Sequence, residues 1–348
     1  MKNAIIKIGL FTAVLFLIVN CGVSKKTKTA VENNEPISTE NKEVYVPKSK
    51  SEKKPFVPDC DAENRWADSI YSQMTLDEKL GQLFFANAYS NKDSVHVNQI
   101  SKLIEDYKIG NVIFFQGGPV RQAKLTNLYQ SKAKVPLMIG IDAEWGLAMR
   151  VEKTPQYPYA ITLGALPDDK AHLVYEVGKQ IGLDLKAAGI HYNLSPLADI
   201  NNNPNNPVIG YRSFGENKEK VAHFAVEYLK GMSEVGILGC LKHFPGHGNT
   251  NVDSHLGLPV LSETLEELLE NELYPFIKGI EHNVDSIMIG HLAVPSLNEG
   301  KNTSATLSKP IIETLLREKL GYDGLVISDA LNMHSVSKLY ETKGELEW

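Results

Sequence analysis

The 348-residue sequence is poor in cysteine, with only Cys21, Cys60 and Cys240. Three scattered thiols make neither a disulfide framework nor a paired CxxC metal site. Basic charge is also short: 36 Lys and Arg against 42 Asp and Glu leave a formal net charge of -6, with a pI near 6.0. No field of the kind that gathers phosphate backbones arises from that balance, which argues against nucleic-acid partners. No Gly-x-Gly-x-x-Gly turn follows a first strand, so the dinucleotide-binding mark of a doubly wound open sheet, the competing fold, is missing, and no cofactor is expected. A Gly-x-Ser-x-Gly elbow is missing too, because Gly210-Tyr211-Arg212-Ser213-Phe214-Gly215 carries one residue too many before the serine. The apolar run Gly9 to Val19 is about half the roughly 20 residues of a membrane-spanning helix.

That run follows Lys2 and Lys7 and has the length of an export-signal core. It ends in Leu17-Ile18-Val19-Asn20-Cys21-Gly22, which resembles the lipobox of bacterial lipoproteins. The resemblance implies a signal peptide over 1–21, lipidation of Cys21, and a lipid anchor to the cell envelope, expected on the outer membrane facing the periplasm. A cleaved, fully soluble secreted protein is the alternative. Residues 22–60 are rich in Lys, Glu, Thr, Ser, Asn and Pro and hold few large apolar side chains. Such a segment cannot offset its ordering entropy by burial and reads as a flexible tether, with a coil reach on the order of 30 to 40 Å. Cys240 lies in an apolar segment and reads as a small buried hydrophobe.

From 61 to 348 short aliphatic runs alternate with amphipathic stretches, the pattern of βα units around a parallel sheet. The predicted strands are Gln82–Ala88, Asn111–Gln116, Leu137–Asp142, Ile190–Pro196, Leu238–His243, Ser286–His291 and Leu325–Asp329. Helices are predicted over Asp77–Leu83, Asp168–Ala188, Lys218–Val235, Glu263–Glu281 and Lys309–Lys319. Several strands end in polar residues: Asp142 with Glu144, Pro196 to Asp199, Lys242-His243, His291, and Ser328-Asp329. Polar groups at the carboxyl ends of strands are what the active face of a (β/α)8 barrel presents. The expected fold is therefore a TIM-type α/β barrel, truncated after its seventh strand-helix unit.

Lys242 to His255 reads Lys-His-Phe-Pro-Gly-His-Gly-Asn-Thr-Asn-Val-Asp-Ser-His. His243 and His247 have the spacing of two zinc ligands on one helical face, but Pro245 and Gly246 break that helix, so no metal is expected. Asp253 and His255 are one residue apart, and in extended backbone both side chains project to one side, where the carboxylate can accept the imidazole N–H. A histidine so oriented is an effective general acid/base near neutral pH. A histidine that merely caps a loop is the plainer alternative. Asp329 after a strand suits a nucleophilic carboxylate and equally a helix N-cap.

The run K-H-F-P-G-H-G-x-T-x-x-D-S-H resembles the signature of glycoside hydrolase family 3 in its β-N-acetylglucosaminidase branch. That resemblance covers about Trp66 to Met333 and implies a retaining hydrolase of terminal β-N-acetylglucosamine, with a carbohydrate partner expected among peptidoglycan-derived fragments. It implies His255 as general acid/base, Asp253 as the group that orients it, and Asp329, within Ser328-Asp329-Ala330-Leu331-Asn332-Met333, as nucleophile. It implies sugar contacts from Asp142, Arg150, Arg212, Lys242 and His243. The sequence departs from the family's pattern at Asn249, where Asp is common, and at Trp145, where a second Gly is usual.

Overall fold

The computed structural model describes residues 60–340; the signal peptide, Cys21 and all but the last residue of the tether expected over 22–60 lie outside them, and that last residue, Cys60, opens a helix instead. Helix α1, Cys60–Tyr71, leads into α2, Leu76–Gly81. Thr75 starts α2 by a reciprocal cap, its hydroxyl accepting from the Glu78 backbone while the Glu78 carboxylate accepts from the Thr75 backbone. The strands are β1 Phe85–Tyr89, β2 Asn111–Phe115, β3 Met138–Ile141, β4 Tyr192–Asn193, β5 Cys240–Phe244, β6 Ser286–Ile289 and β7 Leu325–Ser328. Each pairs in parallel with the next in chain order within β1 to β4 and within β5 to β7. Two isolated parallel bridges, Tyr192 with Leu238 and Leu197 with Lys242, join the two sets.

Helices occupy the crossovers: α3 Ser94–Tyr107, α4 Pro119–Lys132, α5 Ala160–Gly164, α6 Ala171–Ala187, α7 Lys218–Glu234, α8 Leu265–Glu270, α9 Tyr274–Glu281, a π-type helix Pro310–Lys319, and α10 His334–Tyr340. Successive residues of a strand face opposite sides, and every residue of β4, β5 and β6 is buried, whereas β7 is partly exposed. Val112 and Phe114 of β2 join the main core, which takes in buried residues of α3, α4, α6, α7 and α9, whereas Ile113 faces the other way. Ile113, Tyr192, Leu194, Cys240 and Met288 form a second cluster, against which Phe85, Phe115, Met138, Leu238 and Ile327 pack. All seven strands, or residues just flanking them, feed this interior. The rings of Phe85 in β1 and Tyr192 in β4 lie 6.0 Å apart, and the Tyr192 hydroxyl lies 2.5 Å from Ser286 Oγ of β6. Strands that are not sheet neighbours thus meet across one filled lumen, as in a TIM-type barrel. Cys240 is fully buried there, and burial pushes its thiol up to about 11.

Helices α6 and α7 press together at two glycines. A Cβ on Gly178 would fall 2.2 Å from the Tyr228 carbonyl oxygen, and one on Gly231 would fall 2.1 Å from that of Tyr175. Several predicted elements differ from those found: the strand Gln82–Ala88 starts only at Phe85 and ends at Tyr89, and the helix Lys309–Lys319 is of π type. The single helix Glu263–Glu281 is two helices, because the chain turns at 271–273 before Pro275 opens α9. The predicted strand Ile190–Pro196 pairs regularly only over Tyr192–Asn193.

Candidate active site

The polar residues after the strands gather at the carboxyl end of the sheet. Asp142 and Glu144 follow β3, Asp199 lies beyond β4, Lys242 and His243 belong to β5, His291 follows β6, and Asp329 follows β7. Lys242 is the hub of the first group. Its Nζ lies 3.0 Å from Asp142 Oδ1 and 3.0 Å from Glu144 Oε1, with only 2% of the residue exposed. Arg150 donates to Asp142 Oδ2 at 2.7 Å, and Arg212 grips Glu144 with two nitrogens, Nη2 to Oε1 at 2.7 Å and Nε to Oε2 at 2.9 Å. Five charges therefore form one chain, Arg150–Asp142–Lys242–Glu144–Arg212. Burial alone would push both carboxyls up; Lys242 with Arg150 outweighs this at Asp142 and holds it well below the usual carboxylate range. At Glu144, Lys242 with Arg212 brings the carboxyl down to about 2. Lys242 itself is held above its ordinary value: burial opposes its charge, and the attraction of Asp142 and Glu144 prevails.

The second group is built on Asp199, which is 1% exposed. Its carboxylate accepts from the His243 backbone at 3.1 Å, from His247 N at 2.7 Å, and pairs with His243 Nδ1 at 2.7 Å. One buried carboxylate thereby sets both the bend after β5 and the orientation of the His243 ring. His247 is buried, and burial first, then nearby His243, lowers its proton affinity. His291, also buried, is shifted the same way by burial, against an opposing pull from Asp329. Its Nε2 donates to the Ala330 carbonyl at 2.9 Å, tying β6 to the turn that carries Asp329. Asp329 is partly exposed; its backbone N–H reaches Ile289 O at 3.0 Å and its Oδ1 accepts from Ala330 N at 2.7 Å.

Asp253 and His255 are paired, Oδ1 to Nδ1, at 2.8 Å. The contact is as expected, but the backbone is not: the segment is a turn in which Asp253 Oδ1 also accepts the His255 backbone N–H at 2.9 Å. An aspartate reaching two residues on is an Asx turn, and it brings the ring to the carboxylate without extended geometry. Burial would raise the Asp253 carboxyl, and these two bonds from His255 keep it lowered. The imidazole is 65% exposed.

The structure thus joins Asp142, Arg150, Arg212 and Lys242 in one network, sets His243 on Asp199, and pairs Asp253 with His255. Glu144 and Asp199 hold central places that were not assigned from sequence. Each was visible as an acidic residue after a predicted strand, but a surface carboxylate reads the same way. Thr250 stands within the motif Lys242 to His255 but was given no role from sequence, and Asn206 carried no sequence signal.

A parallel β/α barrel that collects carboxylates, cations and imidazoles at the carboxyl ends of its strands is the standard scaffold of an enzymatic site. The chain belongs to glycosyl hydrolase family 3, whose N-terminal domain matches residues 75–346. Beta-hexosaminidase A of Pseudoalteromonas piscicida is 35% identical over 263 residues, which cover 70% of this chain and 44% of that protein. A beta-hexosaminidase of Xylella fastidiosa strain M12 is 31% identical over 67% of this chain and 70% of its own length. Among solved structures, a family 3 β-N-acetylglucosaminidase from Paenibacillus sp. str. FPU-7 superposes with a TM-score of 0.71 at 40% identity, over 77% of this chain and 51% of that one. The chain spans about half the length of the first of these curated relatives.

Proposed function

We propose that the protein is a retaining glycosidase that removes terminal non-reducing β-linked N-acetylglucosamine, with peptidoglycan-derived fragments as its envelope substrate. The observation that carries this reading is the Asp253–His255 pair, joined at 2.8 Å in a loop that follows the same rim as Asp329. Asp329 attacks the anomeric carbon as the glycosidic bond breaks, and His255 gives a proton to the departing oxygen. His255 then takes a proton from water as that water displaces Asp329, and two inversions leave net retention. Asp253 holds the imidazole and stabilises its charged form.

The charge network suits the sugar. Asp142 keeps lone pairs beyond those used by Lys242 and Arg150, and Lys242 has a third ammonium hydrogen. Those groups match hydroxyls, which both donate and accept. Arg212 acts through Glu144, and His243, fixed at Nδ1 by Asp199, offers Nε2. The hexosaminidase names of the similar proteins support the N-acetylglucosaminide over other sugars, and the lipobox resemblance supports the envelope.

The test compares the whole protein on 4-nitrophenyl N-acetyl-β-glucosaminide and 4-nitrophenyl β-glucoside. The reading expects release of nitrophenol from the first with a kcat/KM at least about tenfold higher, as befits a site that hydrogen-bonds the acetamido group. Preference for the glucoside makes it a family 3 hydrolase of another β-glycoside. Tight sugar binding without turnover makes it a carbohydrate-binding scaffold.

A further inference from the structure

Two loops meet over the rim. One begins with the asparagine-rich run Asn201-Asn202-Asn203-Pro204-Asn205-Asn206 and leads to Arg212; the other runs from His247 to His255. Asn206 stands between them. Its Nδ2 donates to the carbonyl oxygens of His247 at 2.8 Å and Gly248 at 2.9 Å, with Thr250 Oγ1 further off at 3.4 Å. Its Oδ1 accepts from Val208 N and Ile209 N, both at 2.9 Å. Both amide hydrogens and both lone pairs are used, so the amide can point only one way; reversed, it would set donors against donors and oxygens against oxygens. Asn203 adds Nδ2 bonds to Thr250 O at 3.0 Å and Asn251 Oδ1 at 2.9 Å.

The clamped turn continues toward the acid/base pair. Thr250 Oγ1 donates to His247 O at 2.9 Å and lies 2.6 Å from His247 Nδ1, while His247 Nε2 lies 3.4 Å from Ser254 Oγ. Ser254 is buried and sits between Asp253 and His255. Gly248 lies so close to the first loop that a Cβ would fall 1.7 Å from Ile200 O. The base of the His255 loop is therefore held by Asp199 at His247 N, by close packing of Gly248 on Ile200, and by the side chains of Asn203 and Asn206, of which Asn206 is the most fully satisfied.

We propose that Asn206 is a positioning residue that holds the loop bearing Asp253 and His255 at the rim, so that proton transfer to the leaving oxygen depends on its amide. This rests on the glycosidase reading above, in which His255 is the proton donor. An isosteric variant separates the two halves of the clamp. In N206D the oxygen facing Val208 N and Ile209 N is kept, and with it the turn whose Val208 carbonyl accepts from Arg212 Nη1 at 3.2 Å. The other side becomes an oxygen facing two carbonyl oxygens, so the His247–Thr250 turn is repelled. The substitution loosens the acid/base loop and spares the arginine loop.

The experiment measures kcat/KM of the whole protein and its N206D variant on 4-nitrophenyl and methyl N-acetyl-β-glucosaminides. The first leaving group needs little proton donation and the second needs it fully. Expected is a loss of about 10- to 100-fold on the methyl glycoside and less than about 3-fold on the nitrophenyl glycoside, a part of the roughly 100- to 10,000-fold that proton transfer by a positioned side chain supplies. An equal loss on both substrates, or no loss on either, overturns the proposal. Hydrogen exchange at residues 247–255 gives an independent reading: faster exchange in N206D supports the clamp, and unchanged exchange overturns it. If the wild type cleaves neither glycoside, the glycosidase reading fails, and the exchange measurement still decides the clamp.

Discussion

Lys242 holds together two buried carboxylates that would otherwise face each other. Replacing it, as in Lys242→Met, leaves Asp142 and Glu144 with one cation each, and loss of one partner from a buried ionic group costs about 3–5 kcal/mol. Chemical denaturation should show that loss as a lower midpoint with an unchanged slope. The same residues predict a pH dependence. Both carboxyls are lowered in the folded protein, Glu144 from 4.5 to about 2. Their contribution is complete above the unfolded values near pH 4.5, and it is lost as pH falls toward 2, because unfolded carboxylates take up protons first. Unfolding free energy should fall with pH through that window, and Lys242→Met should flatten the fall. At the reaction centre, Asp329→Ala should abolish turnover, whereas His255→Ala should keep more activity on activated aryl glycosides than on alkyl ones. Equal loss on both would sink the acid/base role of His255. Sequence made Asp253, His255 and Asp329 legible because they share a dense local motif or follow a strand. It could not reveal Asn206, whose partners lie some 41 residues on and are carbonyl oxygens, which every residue has.

At the scale of elements, short aliphatic runs located all seven strands, to within a residue at β7 and least well at β4. Strand β4 was overdrawn because Ser195-Pro196 follows it, and a proline has no N–H for the ladder. The predicted helix over 263–281 broke for reasons written in its residues. Thr264 with Glu267 starts one helix, and Pro275, which suits a first turn, starts the next. Periodicity alone passes over such punctuation. The contact of α6 with α7 yields a prediction of its own. Gly231→Val places two methyl groups beyond a Cβ already 2.1 Å from Tyr175 O and 2.6 Å from Lys179 N. The helices must separate, at about 1–3 kcal/mol or more of overpacking. A thermal melt should shift down by several degrees, and an unchanged melting temperature would contradict the tight contact.

At the scale of the molecule, the barrel explains why residues from 142 to 329 can meet at one site: the carboxyl ends of parallel strands in chain order share one rim. Cys21→Ser should abolish incorporation of labelled palmitate and release the protein from the membrane fraction, while labelling that survives the substitution would refute a lipid anchor at that residue. The central claim is double displacement through Asp329, and its most direct test is the anomer released first. With the whole protein and 4-nitrophenyl N-acetyl-β-glucosaminide, proton NMR during the first minutes should show the β-anomer of N-acetylglucosamine before mutarotation brings in the α-anomer. An α-anomer formed first would contradict the account.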